Sequence, residues 1–165
     1  VPPPIAIFLL TSQQTAQGIV AHHHRTKTNT IQIVDELIGR EYSVIRDALP
    51  HVKLVQVIHV TGEASVDEAA EIAEHVDAIL LDSGNPSLSI KELGGTGRRH
   101  DWGLSRRIVE TCGKPVFLAG GLNAENVREA IDTVQPFGLD LCSGVRTAGK
   151  LDLRKLEAFF NGVNR

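Results

Sequence analysis

The chain has 165 residues, a formal net charge of −3, 42% hydrophobic and 22% charged residues. That is enough for one domain with a real core, and it excludes disordered and fibrous classes. The slight acidity and 4% aromatic content give no footprint for nucleic acid or an anionic membrane, and no apolar run nears the length of a bilayer span.

Along the chain a β-branched apolar run alternates with an amphipathic stretch. Ile5–Thr11 reads as a strand and Thr15–Lys27 as a helix. Thr30–Asp35 and Glu36–Leu49 follow, then Leu54–Val60 and Ser65–Val76, the latter opened by a Ser65-Val66-Asp67-Glu68 capping box. Ala78–Ser83 is a strand leading into a long glycine-rich loop. The helix Gly103–Cys112 stops at Gly113. Pro115–Ala119 is a strand, and Ala124–Val134 a helix capped by Asn123. Leu139–Ser143 and Asp152–Val163 complete six βα units. Strict alternation predicts an α/β fold with a parallel sheet covered on both faces. An open doubly wound sheet and a (β/α)8 barrel both satisfy it. The loop after the first strand, Ser12-Gln13-Gln14-Thr15, lacks the glycines of a dinucleotide site.

The glycines crowd instead after the last three strands. Gly120-Gly121 follows PVFLA and Ser143-Gly144 follows LDLC. Glycine lets backbone N–H groups approach an anion, and barrels cradle phosphate in the loops after strands seven and eight. Tight turns alone are the bland alternative. The third cluster, Gly94-Gly95-Thr96-Gly97-Arg98-Arg99-His100-Asp101-Trp102, ends on Asp101 beside a helix start. Asp101 reads as an N-cap that also aims its carboxylate at a pocket. Arg98 and Arg99 read equally as an anion clamp or as solvated charges.

Here a resemblance enters. The loop Gly94–Trp102, the stretch Pro115–Ile131 and the segment Gly138–Arg146 resemble, in order and spacing, the acid loop and the two phosphate loops of phosphoribosylanthranilate isomerases. The resemblance implies a TIM barrel in which residues 1–165 form one domain supplying about six units, strands three to eight, without the first two. It implies an Amadori rearrangement of a phosphoribosyl amine, aldose to ketose, in tryptophan biosynthesis. Asp101 would be the general acid. Gly95, Thr96, Gly97, Gly120, Gly121, Asp140, Ser143 and Gly144 would bind substrate or its phosphate. No cofactor or metal is expected. A small phosphosugar is the expected partner, with no nucleic acid or membrane, a cytoplasmic location and room for a homodimer. The family's base cysteine and carboxylate-binding arginine belong to the first two units.

Two positions depart from the family pattern. The strand that usually ends Gln-x-His-Gly ends Gln32-Ile33-Val34-Asp35 here, and His100 stands where Phe is usual. His100 reads first as an exposed loop histidine, with a second acid–base group as the alternative. A non-isomerase phosphosugar or nucleotide binder, or another phosphosugar isomerase or epimerase, therefore stays open. Cys112 and Cys142 are expected as buried thiols. His22-His23-His24 cannot converge on a metal from successive helical positions.

Overall fold

A computed structural model describes residues 5–84 and 99–164. Six parallel strands form one sheet: β1 (Phe8–Thr11), β2 (Thr30–Ile33), β3 (Lys53–His59), β4 (Ala78–Asp82), β5 (Val116–Leu118) and β6 (Gly138–Leu139). Each pairs only with its sequence neighbours, in the order β1-β2-β3-β4-β5-β6. A doubly wound sheet reverses direction at a switch point; this one does not, and so runs like a barrel wall. Between the strands lie α1 (Ala16–Thr26), α2 (Tyr42–Ala48), α3 (Ala64–Ala73), α4 (Trp102–Thr111) and α5 (Val127–Val134), with α6 (Leu153–Val163) last.

The helices pack on one face of the sheet. Ala16, Ile19 and His23 of α1, and Val127, Ala130 and Val134 of α5, are buried at spacings of three and four. They meet Ile31, Ile33, Leu54, Ile58, Ile79, Leu81, Val116 and Leu118 in the main core. Residues of opposite parity form a second cluster on the other face: Val55, Val57, Ala78, Leu80 and Ala119, with Val34 and Phe117 against it. The two-residue strand period produces this division. At the amino-terminal end of the strands Asp77 accepts from Leu54 N–H at 2.9 Å and pairs with Lys53 and Arg46. Burial would raise its pKa, but these donors outweigh it and hold the carboxyl low.

Several predicted boundaries shift. The helix expected over Glu36–Leu49 is split into a short 3-10 turn, Ile38–Arg40, and α2, because Gly39 and Arg40 have φ of 69° and 51°. Ser65 is not a cap. It lies inside α3, where its hydroxyl donates to His59 O at 3.3 Å and accepts from Thr61 N–H at 3.2 Å. Asn123 caps a turn before α5, accepting from Glu125 N–H and Asn126 N–H, so the helix starts at Val127. Expected strand Leu139–Ser143 shortens to β6, and Ser143–Val145 forms a 3-10 turn. Cys142 lies beyond β6 and is exposed, against expectation, whereas Cys112 is buried. A hairpin of β7 (Arg146–Thr147) and β8 (Lys150–Leu151) was not anticipated, since Ala148 supplies one of its positive φ values.

Candidate active site

The site lies at the carboxyl ends of the strands, where an α/β sheet presents its loops. Parity fixes which side chains face it. Val55 and Val57 lie in the inner cluster, so His59, two residues on, points the same way. Ala78 and Leu80 likewise place Asp82 on that face. His59 pairs in register with Asp82. Asp140 follows β6, and its N–H donates to Leu118 O, which aligns Asp140 with the inward Ala119. Three polar residues thus occupy one rim. His59 and Asp82 are 9% and 7% exposed. Asp140 reaches solvent, yet protein packed around its carboxyl and the nearby Asp82 raise its pKa.

Asp101 caps α4, its Oδ1 accepting from Gly103 N–H at 2.8 Å. The carboxylate is exposed, so the cap leaves it accessible from the rim. His100 beside it is half-buried, not an exposed loop histidine. Its Nε2 lies 2.7 Å from Ser105 Oγ, and that hydroxyl donates to Asp101 O at 3.4 Å. Ser105 is fully buried, so this chain anchors the loop end to α4. Burial pushes the His100 imidazole down to about 4, against the opposing pull of Asp82 and Asp101. It is a neutral group at physiological pH.

The glycine loops pack against one another. Gly120 and Gly121 have φ of 84° and 67°. A Cβ on Gly120 would come within 3.0 Å of the Ser83 backbone N, and one on Gly144 within 2.0 Å of Leu122 O. Asn126 Nδ2 donates to Gly121 O at 2.9 Å and fixes the first loop. No described residue accepts from the N–H groups of Gly120, Gly121, Ser143 or Gly144, which leaves four donors for an anion.

Gly95, Thr96, Gly97 and Arg98 lie outside the described residues. Arg99 pairs with Glu129 on α5 at 2.7 and 3.0 Å and lies 3.6 Å from the Trp102 ring centroid. The three adjacent histidines diverge, His22 to Thr11 Oγ1 and His23 to Thr28 O. Asp101, Asp140, the two glycine loops and His100 are therefore gathered at one end. His59 and Asp82 escaped the motif reading. Their signal was parity alone: polar residues closing the inward rows Val55-Val57-His59 and Ala78-Leu80-Asp82.

The model of the family described as N-(5'phosphoribosyl)anthranilate (PRA) isomerase matches residues 10–162. N-(5'-phosphoribosyl)anthranilate isomerase 2 of Methanosarcina mazei is 35% identical over 145 residues, covering 88% of this chain and 63% of that protein. The chain thus spans less than two thirds of that relative. Phosphoribosyl anthranilate isomerase from Thermococcus kodakaraensis superposes with a TM-score of 0.76 at 30% identity, over 98% of this chain and 76% of that one. A phosphoribosyl anthranilate isomerase solved with reduced 1-(o-carboxyphenylamino)-1-deoxyribulose 5-phosphate gives 0.74 at 25% identity, covering 99% and 74%.

Proposed function

The chain belongs to the N-(5'-phosphoribosyl)anthranilate isomerase family, and from that premise we propose that it carries the acid and phosphate-binding half of an Amadori isomerase of tryptophan biosynthesis. The observation that carries the reading is Asp101, held by the α4 cap on the same rim as four backbone donors that have no acceptor among the described residues.

In this reading the substrate phosphate lies against the N–H groups of Gly120, Gly121, Ser143 and Gly144, and Gly95, Thr96 and Gly97 are further binding residues by the family resemblance. Asp101 donates a proton to the ribose ring oxygen. The C1–O bond breaks, and the amine nitrogen lone pair forms the C1=N bond of a protonated Schiff base. A base then removes the C2 proton, the electron pair flows to nitrogen as an enolamine, and tautomerisation gives the 1-amino-1-deoxyketose. General acid–base chemistry suffices, and no cofactor takes part. Asp140 would stand near the reacting carbons, and burial together with the nearby Asp82 raises its pKa.

The six strands correspond to strands three to eight of an eight-stranded barrel, with residues 1–165 as one domain. Phe8 and Leu10 support this: they point to the inner face of β1, an edge strand among the described residues, and are 38% and 58% exposed. Further strands beside β1 would cover them. The base and the carboxylate-binding group then come from strands one and two. A cytoplasmic location accords with this, and among the described residues no helix is long and apolar enough to cross a membrane.

The full-length protein should convert phosphoribosylanthranilate to the ketose phosphate. Asp101→Asn should lower turnover by roughly 10²–10⁴-fold, the usual contribution of a general acid, and Asn should preserve both cap and phosphate affinity. Unchanged turnover in that variant would sink the assignment. Val34, where the family resemblance expects histidine, favours a second reading as a phosphosugar-binding relative. Phosphosugar binding by the wild type without turnover would select it.

A further inference from the structure

β3 ends on a polar side chain with half of its hydrogen-bonding capacity unused. His59 is 9% exposed and faces the inner side of the sheet beside Asp82. Its Nε2 lies 3.1 Å from Val34 O. A carbonyl oxygen only accepts, so Nε2 carries the proton and donates. In the neutral ring Nδ1 is then a bare acceptor. That atom is buried and has no partner among the described residues. A buried acceptor left unmade costs free energy, and native proteins seldom keep one without a reason.

We propose that His59 Nδ1 is a substrate-binding acceptor, taking a hydrogen bond from a hydroxyl or amine N–H of the sugar-amine part of the substrate. This rests on the isomerase reading and adds a contact to it. Polarity across the rim is the argument. The loops after β5 and β6 present backbone donors, which suit a phosphate. The ends of β3, β4 and β6 present acceptors: His59 Nδ1, Asp82 and Asp140. A phosphoribosyl amine has that same division, with phosphate oxygens at one end and hydroxyl and N–H donors towards the other. The position is also telling. Val34 stands where the resemblance expects a histidine, and the His59 ring leans on the carbonyl of that very residue.

Two variants of the full-length protein separate binding from structure. Gln places an amide N–H near the Nε2 position and so keeps the tie to Val34. Asn places a carbonyl oxygen near Nδ1 and loses that tie. The probes are reduced 1-(o-carboxyphenylamino)-1-deoxyribulose 5-phosphate and inorganic phosphate, titrated calorimetrically. His59→Gln should melt like the wild type and bind inorganic phosphate unchanged. It should bind the reduced analogue more weakly by on the order of tenfold, the worth of one good hydrogen bond. His59→Asn should melt lower and bind the reduced analogue more tightly than the Gln variant does. Wild-type affinity for both ligands in His59→Gln overturns this role while leaving the isomerase reading standing. A wild type that neither turns over phosphoribosylanthranilate nor binds the reduced analogue overturns both.

Discussion

The loops after β5 and β6 and the strand ends of β3 and β4 meet at one rim but are made differently. The loops work through backbone: glycine at 120 and 144 brings main chain against main chain, and no described residue accepts from the N–H groups there. The strand ends work through side chains, His59 and Asp82, carried on a rigid ladder. A backbone site has no tolerance for added atoms, whereas a side-chain site can lose one group and keep its frame. Substitutions should therefore act unequally on the two.

The largest effect falls on Gly144. A Cβ there would stand 2.0 Å from Leu122 O, a main-chain atom that cannot swing aside. Gly144→Ala should cost roughly 1–3 kcal/mol, in the range of core overpacking, and weaken phosphate binding. Gly62→Ala, where a Cβ meets nothing within 4 Å, is the control and should unfold like the wild type in urea. Equal midpoints for the two variants would erase the contrast.

A smaller, pH-dependent effect belongs to His100. Its folded pKa is lowered from 6.5 to about 4. Between those values the unfolded chain binds a proton that the folded chain refuses, so stability present above about pH 6.5 is lost as pH falls towards 4. His100→Phe removes that slope. After allowance for solvent around a half-buried ring, the loss across the window is on the order of 1 kcal/mol. Between pH 7 and 4 the wild-type urea midpoint should fall relative to that of His100→Phe. A constant gap would refute the assignment.

The smallest effect is that of Arg99. Its pair with Glu129 is exposed on both sides, and its guanidinium covers the ring of the buried Trp102. Arg99→Ala should cost no more than about 1 kcal/mol, and less in high salt. A larger loss of turnover than of melting temperature would show that the strap positions Asp101.

The contrast between the two regions also explains what could be read from sequence. Glycine pairs after a β-branched run announce themselves, because few residues can replace them. The Asp101 cap was legible for a similar reason: a carboxylate just ahead of a helical period has a local partner. His59 carries no such signal. It matters only because Val55 and Val57 set its parity and because β2 ends within reach, facts spread across two strands. Ser65 shows the reverse failure. A capping box is a local pattern, and here a tertiary demand, tying Thr61 and His59 together, took its hydroxyl instead. The hairpin at Ala148-Gly149 was missed because alanine seldom accepts the φ of 50° it adopts.

The consecutive strand order bears on how the fold tolerates change. Every pairing joins neighbouring units, such as Leu9 with Ile31 or Ile31 with Leu54. One excursion is much longer, from Ile79 to Val116, since it includes the glycine-rich loop ahead of Asp101. The entropy of closing a loop grows only with the logarithm of its length, by about 0.6 kcal/mol per doubling. Lengthening that segment therefore takes little from the stability of the wall, and residues can be added or removed ahead of Asp101 without asking β4 and β5 to find each other anew.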